Sequence, residues 1–319
     1  MSNPVTVENF TRAESDFYFA KVVEDGGFGK FHHARQPASI DHQTVIRMNR
    51  DTIYSSAVVD LDAGPVTIAL PESSGRFRSL QVLNEDQYTL KVAYDAGRYR
   101  FTREEAGTRY IHVSIRTLVD PNTPSDLEAA HALQGGATLD QPSGPGTFEV
   151  PDWDQASHKK VRDALLVLGT TLPDSKHVFG RKEDVDPVRF LIGCAVGWGG
   201  NPETEASYLN FTPAQNDGQT VHRLKVKDVP VNGFWSISVY NAKGFFEPND
   251  RNAYSINNLS AVKDPDGSVT VQFGGCEQPG AGPNCIPITQ GWNYIVRLYR
   301  PRLEILDGRW TFPPAVPIS

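Results

Sequence analysis

The densest chemistry in the sequence lies at residues 47–54, Arg-Met-Asn-Arg-Asp-Thr-Ile-Tyr. In that stretch Arg50 can anchor an anion, Asp51 can act as a base, Tyr54 can donate or accept a proton, and Asn49 can orient a substrate. The same residue types equally suit a strand end tied to a turn, with Arg50 paired to Asp51 and with Asn49 and Thr52 bonding backbone. A second group comes from FWSISVY (234–240) and WNYIVRLYR (292–300). Strand alternation puts Ser236, Ser238 and Tyr240 on one face, opposite Trp235, Ile237 and Val239. It likewise puts Asn293, Arg297 and Tyr299 opposite Trp292, Tyr294, Val296 and Leu298. The polar set forms either a wall suited to a polar small molecule or the solvent face of an antiparallel sheet. Trp235, Tyr240 and Tyr299 offer ring platforms for a sugar or an aromatic metabolite.

Other groups carry less. Glu203 and Glu205 would face alike on a strand, and Glu205 and Tyr208 would meet on a helical turn, but a spacing of two is ordinary for surface carboxylates. His32, His33, Asp41 and His42 hold nitrogen and oxygen ligands close in sequence, yet adjacent histidines project differently from any regular element, so a solvated loop is expected and no metal. The sequence has no GxSxG, GxxxxGK[ST] or HExxH motif and no GxGxxG after a strand, and no cofactor is expected.

The elements that must position these residues are mostly strands. Phe10, Ala13, Phe17 and Ala20 predict a helix over residues 5–24 that stops at Gly26-Gly27. Period-two runs follow from Thr44 to about Asp120: TVIRMNR, TIYSSAVVDL, PVTIALP, RFRSLQVLN, YTLKVAY, RYRF and RYIHVSIRTLV. LEAAHALQ predicts a short helix. The Gly/Pro-rich GGATLDQPSGPGTFEVP then marks a junction near residue 150, giving domains 1–150 and 151–319. Asp152 or Asp154 can cap a helix with an apolar stripe of Val161, Ala164, Leu165 and Leu168. RFLIGCAVGWGG fits a buried helix or a bent strand, and strands resume with ASYLNF, VHRLKV, FWSISVYN, AYSI, SVTVQF and WNYIVRLYR.

At 319 residues, the chain exceeds the usual size of one core, and its 27 Gly and 23 Pro favour sheets and turns over bundles. A net charge of −7 without a basic cluster argues against nucleic acid as a partner. No run approaches the roughly 20 apolar residues of a membrane span, and the N-terminus lacks an export pattern, so a cytoplasmic location without membrane partners is expected. In that reducing setting Cys276 and Cys285 are expected to stay unbridged more often than joined.

Three segments together resemble a known bacterial family: NRDTIYSSAVVDLDAGPVTIALP (49–71), FWSISVYNAKGFFEPNDRNAYSI (234–256) and RLYRPRLEILDGRWTFPP (297–314). They are similar to the tandem domains of unknown function 1254 and 1214, in that order. The resemblance implies two consecutive antiparallel β-sandwich or jelly-roll-like domains with an N-terminal helix and interdomain helices, and it implies no reaction. Met48 stands where that family usually has proline, and Cys285 where it usually has tryptophan.

These readings converge on a mainly β protein with a small-molecule ligand, received in a cleft near the domain junction. The leading expectation is acid–base chemistry by Arg50, Asp51 and Tyr54 on a polar or anionic substrate, with Asn49, Trp235, Tyr240, Asn293, Arg297 and Tyr299 binding it. The alternatives are a non-catalytic carbohydrate or metabolite binding module and a structural protein assembling as a homo-oligomer.

Overall fold

A computed structural model describes residues 2–43 and 46–318. It divides into two compact units with interleaved segments: residues 1–35, 53–118 and 128–203 in the first, and 36–52, 119–127 and 204–319 in the second. The segment 151–203 thus packs in the first unit, and residues 36–52 in the second.

In chain order the first unit is built on α1 (Phe10–Glu24), β1 (His32–His33), β2 (Thr52–Asp60), β3 (Val66–Leu70), β4 (Arg78–Asn84), β5 (Thr89–Ala93), β6 (Gly97–Phe101), α2 (Arg103–Ala106), β7 (Tyr110–Leu118), α3 (Pro124–Gly136), β8 (Thr138–Asp140), α4 (Gln155–Gly169) and α5 (Pro187–Gly197). The first residue of β2 and the first turn of α3 fall in segments of the second unit. One sheet runs β1-β2-β7-β4-β5 and another β6-β3-β8, and each resolved pair is antiparallel. Ala57 and Val59, Val66 and Ile68, Leu80 and Val82, and Val113 and Ile115 alternate inward from both sheets into one core.

One expectation changes here, and one open alternative is settled. Of TVIRMNR, Thr44 and Val45 lie outside the described residues, and 46–50 form a turn and irregular chain. RFLIGCAVGWGG becomes α5 because Asp186 accepts from the Val188 and Arg189 amides and Pro187 fills the first turn. Gly193 is needed there, since a Cβ would come within 2.3 Å of Val178. On α4, Leu165 is buried but Leu168, expected in the same stripe, is 50% exposed.

The second unit holds β9 (Ala206–Phe211), β10 (His222–Val226), β11 (Trp235–Tyr240), β12 (Ser255–Asn257), β13 (Val269–Phe273), β14 (Cys285–Ile286), β15 (Asn293–Tyr299), α6 (Leu303–Leu306) and β16 (Val316–Pro317). Its sheets run β14-β13-β10-β16 and β12-β11-β15-β9, antiparallel except for the parallel β13–β14 pair. Leu224, Val271 and Phe273 from one sheet meet Trp235, Ile237, Val296 and Leu298 from the other. Cys276 and Cys285 are joined in a disulfide, against the expectation from the sequence. No helix among the described residues is long and apolar enough to cross a membrane.

The predicted face of α1 is only partly right. Phe10 and Ala13 are buried, but so are Glu14, Ser15, Asp16 and Phe19, whereas Phe17 and Ala20 are half-exposed. The first unit encloses α1 closely enough to use its polar residues. Glu14 meets His158 at 2.6 Å and Arg162 at 3.0 Å, Ser15 accepts from the Trp198 indole, and Asp16 accepts from the Trp153 indole at 2.8 Å.

Burial pushes the Asp16 carboxyl up to about 6, with Glu85 adding to the rise and Trp153 and Arg12 opposing it. A carboxyl raised in the folded state favours folding below its unfolded pKa and loses that contribution as pH rises through the folded value. Asp16 should therefore make unfolding free energy fall by roughly 2 kcal/mol between pH 4 and pH 6. Asp16→Asn keeps an acceptor for Trp153, so urea titrations across that window should show a flatter pH profile than wild type. An unchanged slope would mean that Asp16 titrates normally.

Candidate functional site

The pairing of β11 with β15 brings the predicted polar wall together. Ser236 lies opposite Arg297, Ser238 opposite Ile295, and Tyr240 opposite Asn293, while Ser236 also pairs with Asn257 of β12. The face is a closed polar layer: Ser236 and Ser238 are fully buried, Tyr240 is 1% exposed and Arg297 3%. Its cover within the second unit comes from residues 46–52, with Met48, Phe246 and Tyr254 packed on Tyr240 and Ile295.

Arg297 is the hub of that layer. One terminal nitrogen donates to Ser238 Oγ at 2.8 Å, and the other to the Tyr240 hydroxyl at 2.8 Å, the Arg47 carbonyl at 2.9 Å and the Met48 carbonyl at 3.3 Å. Tyr240 in turn donates to the Met48 carbonyl at 2.8 Å. Arg47 adopts φ 58°, in the left-handed region, and donates its amide to the Gly244 carbonyl. Burial works against the Arg297 charge, but Tyr240, Tyr299 and Asp51 raise its pKa above the ordinary arginine value.

Asp51 lies beside this hub, completely buried. Its Oδ1 accepts from Asn257 at 3.2 Å, and its amide donates to Asn49 Oδ1 at 2.8 Å. Among the described residues Oδ2 meets no donor in hydrogen-bond geometry, and the buried Ser236 hydroxyl likewise has no such partner. Ser236 adjoins the carboxyl closely enough to favour its ionised form, as do Arg297, Asn257 and Arg50, yet burial prevails and raises the Asp51 pKa. Asn49 also donates to Thr52 Oγ1 at 3.2 Å and to the Tyr299 hydroxyl at 3.1 Å, and Tyr299 stacks on Phe234 at 4.2 Å.

Arg50, half-buried, donates to the Ala38 carbonyl and lies 5.4 Å from the Tyr254 ring centre; burial lowers its pKa. Asn293 donates to the Asn241 carbonyl at 2.9 Å. The structure thus gathers Asn49, Asp51, Tyr240, Arg297 and Tyr299. Trp235 faces the apolar core against Phe312 and offers no exposed ring platform, because alternation points it away from the polar layer. Tyr54 belongs to the first unit, where the Arg116 guanidinium lies 5.6 Å from its ring. Glu203 accepts from the His177 amide, and Glu205 lends its carbonyl to the Arg300 amide. His33 sits on β1 with Nδ1 2.8 Å from Ser55 Oγ, His42 lies in the second unit, and no group of three metal-binding side chains occurs among the described residues.

Asn257 is the partner that sequence reasoning missed. It ends a three-residue strand, and only the β11–β12 register places it beside Asp51. Next to the layer is a shallow surface depression, most of whose space is open solvent, lined by Tyr240, Asn241, Glu247, Asn249, Tyr254 and Thr289, among others.

Two β units of this kind, with a polar layer under residues 46–52, match the models of two protein families of unknown function. DUF1254 covers residues 28–141 and DUF1214 residues 208–303. The chain belongs to the family that carries these domains in tandem. Among solved structures it is similar to the VPA0106 protein from Vibrio parahaemolyticus, with 18% identity, a TM-score of 0.76 and 98% of each chain covered. It is also similar to an uncharacterized protein from Burkholderia cenocepacia, with 14% identity, a TM-score of 0.52, and 97% of this chain and 85% of that one covered. At these identities the likeness is one of fold. No curated protein matches the sequence.

Arg297→Ala would strand four acceptors and leave Asp51 buried without its main compensating charge. A loss of about 3–5 kcal/mol in urea unfolding is expected. Asp51→Asn removes the charge that burial disfavours, so it should cost less than half as much. The reverse ranking would show that Asp51, rather than Arg297, holds the layer.

Proposed function

We propose that the chain binds a small, hydroxylated polar molecule without transforming it, at the depression lined by Tyr240, Asn241, Glu247, Asn249, Tyr254 and Thr289. The observation that carries this reading is the contrast in access: Asp51 and Arg297 are sealed, whereas amide, carboxylate and hydroxyl groups line an open depression next to them. Most of that space is open to solvent, so a ligand there would be held on one side only, which favours a small one, such as a monosaccharide or a small acid. Asn241 is already aimed by its bond to Glu247 at 2.8 Å, and Tyr240 is held by Arg297 and the Met48 carbonyl. Asp51, Arg297, Asn49 and Tyr299 then serve as positioning residues behind the wall. Acid–base catalysis by Arg50, Asp51 and Tyr54 is less well supported, because a general base must reach the proton it removes.

A thermal-shift series with monosaccharides, polyols, carboxylates and nucleotides tests the proposal. A ligand that binds only the folded state adds about 2.7 kcal/mol at a hundred times its dissociation constant. A saturating rise in Tm is expected with a sugar or polyol in wild type, and its loss in Glu247→Ala and Thr289→Val. No rise with any class, or a rise that survives both substitutions, would overturn the reading. Ligand turnover abolished by Asp51→Asn would replace binding with catalysis.

For the compartment, the Cys276–Cys285 disulfide supports oxidising surroundings and weighs against a cytoplasmic location. Alkylation of protein isolated from its native cells without reductant, read by intact mass, should then modify neither thiol. Labelling of both would favour a reducing compartment.

A further inference from the structure

The first unit contains a second buried arginine with a different environment. Arg78 opens β4 and is 2% exposed, in register with Thr117 of β7. Its side chain continues the inward face of Leu80 and Val82, as Thr117 continues that of Ile115 and Val113. Among the described residues all three guanidinium nitrogens lack a hydrogen-bond partner, and so does the fully buried Thr117 hydroxyl. Arginine carries five N–H donors and keeps its charge in proteins, so a buried guanidinium without an acceptor demands a counter-charge.

The groups around Arg78 do not provide one in this conformation. Tyr99, on β6, and Glu72 are the groups whose charge favours the Arg78 cation, against the burial that lowers its pKa. Tyr99 already donates its hydroxyl to the Asp95 carbonyl at 2.9 Å, and Glu72 is exposed and makes no ion pair with Arg78. Glu72, Ser74 and Gly75 are all exposed, so the chain that leads into Arg78 runs along the surface of the unit. A guanidinium fork beside a free hydroxyl matches an oxyanion, which accepts two parallel N–H bonds and a third from O–H.

We propose that Arg78 and Thr117 form a binding site for a small oxyanion, a carboxylate or a phosphate, in the first unit's core. The site is independent of the depression in the second unit, and it does not depend on the reading given above.

The test is isothermal titration and thermal shift of the full chain with sodium phosphate and, separately, sodium acetate, at constant ionic strength set by chloride. Saturable binding of one anion is expected in wild type. Phosphate alone identifies a phosphate site, and acetate alone a carboxylate site. Arg78→Met, which replaces the charge by an apolar chain of similar length, should abolish binding while remaining folded by circular dichroism. Thr117→Val should weaken binding at least tenfold, and Glu72→Gln should leave it within twofold. If Arg78→Met does not fold, Thr117→Val decides: affinity within twofold of wild type overturns the proposal. Absence of saturation by either anion in wild type, or binding retained in Arg78→Met, also overturns it. So does binding that appears only in Glu72→Gln, since the Glu72 carboxylate would then be the occupant.

Discussion

The second unit depends on how one buried guanidinium is satisfied. Arg297 lies on the buried polar face of a sheet whose other face packs by apolar contact, and a charge in that position is tolerated only when surrounded by acceptors. Two of those acceptors are carbonyls of residues 47 and 48, far from β15 in sequence. The arginine therefore dictates where an irregular segment lies: residues 46–52 must cross the polar face of β11 and β15, and Arg47 must take its left-handed turn. Once Met48 is fixed, Tyr240 finds its acceptor, Asn49 reaches Tyr299, and Asp51 is placed against Asn257. A lysine could not reproduce this, because its point charge lacks the planar fork that spans Ser238, Tyr240 and two carbonyls.

How much of this was legible in the sequence follows from the range of each signal. Alternation is local, so the division of β11 and β15 into an apolar and a polar face could be read residue by residue, and Trp235 against Ser236 came out correctly. Whether the polar face meets solvent or another segment is a long-range fact. Its cover begins at Ile46 within TVIRMNR, whose alternating pattern predicts a strand, while Arg47 and Met48 are held instead by carbonyl bonds to Arg297 and by the Gly244 contact. The disulfide was misjudged for the same kind of reason: Cys276 and Cys285 are brought side by side by the parallel β13–β14 pairing, which leaves no mark in a nine-residue spacing.

The helix α1 shows the limit from the other direction. A periodic reading assigns it one buried stripe because an amphipathic helix ordinarily lies on a surface. Here α4, α5 and the Trp198 indole close around it, and three successive polar residues are each used: Glu14 by His158 and Arg162, Ser15 by Trp198, Asp16 by Trp153. Consecutive buried residues on a helix point about 100° apart, so they signal enclosure rather than a stripe. The histidine and two tryptophans that partner them come from residues 153–198, some 140 positions downstream or more, and no window of the sequence shows that these residues belong together.

The same residue type at three sites separates scaffold from candidate site. Arg109 is partly exposed and bidentate on Asp60, at 3.1 and 2.9 Å, and the pair closes a loop through the Thr147 amide and hydroxyl. Arg297 is sealed and satisfied by backbone and hydroxyl acceptors, so its donors are already committed to holding the chain. Arg78 is sealed and satisfied by nothing among the described residues. Burial and a shifted pKa are common to the last two, and neither property tells a structural arginine from a binding one. The census of acceptors does. Two chains that share a fold at 18% identity can differ widely in core residues while alternation is kept. What such a fold does must be read from the polar groups whose bonds the fold itself does not use.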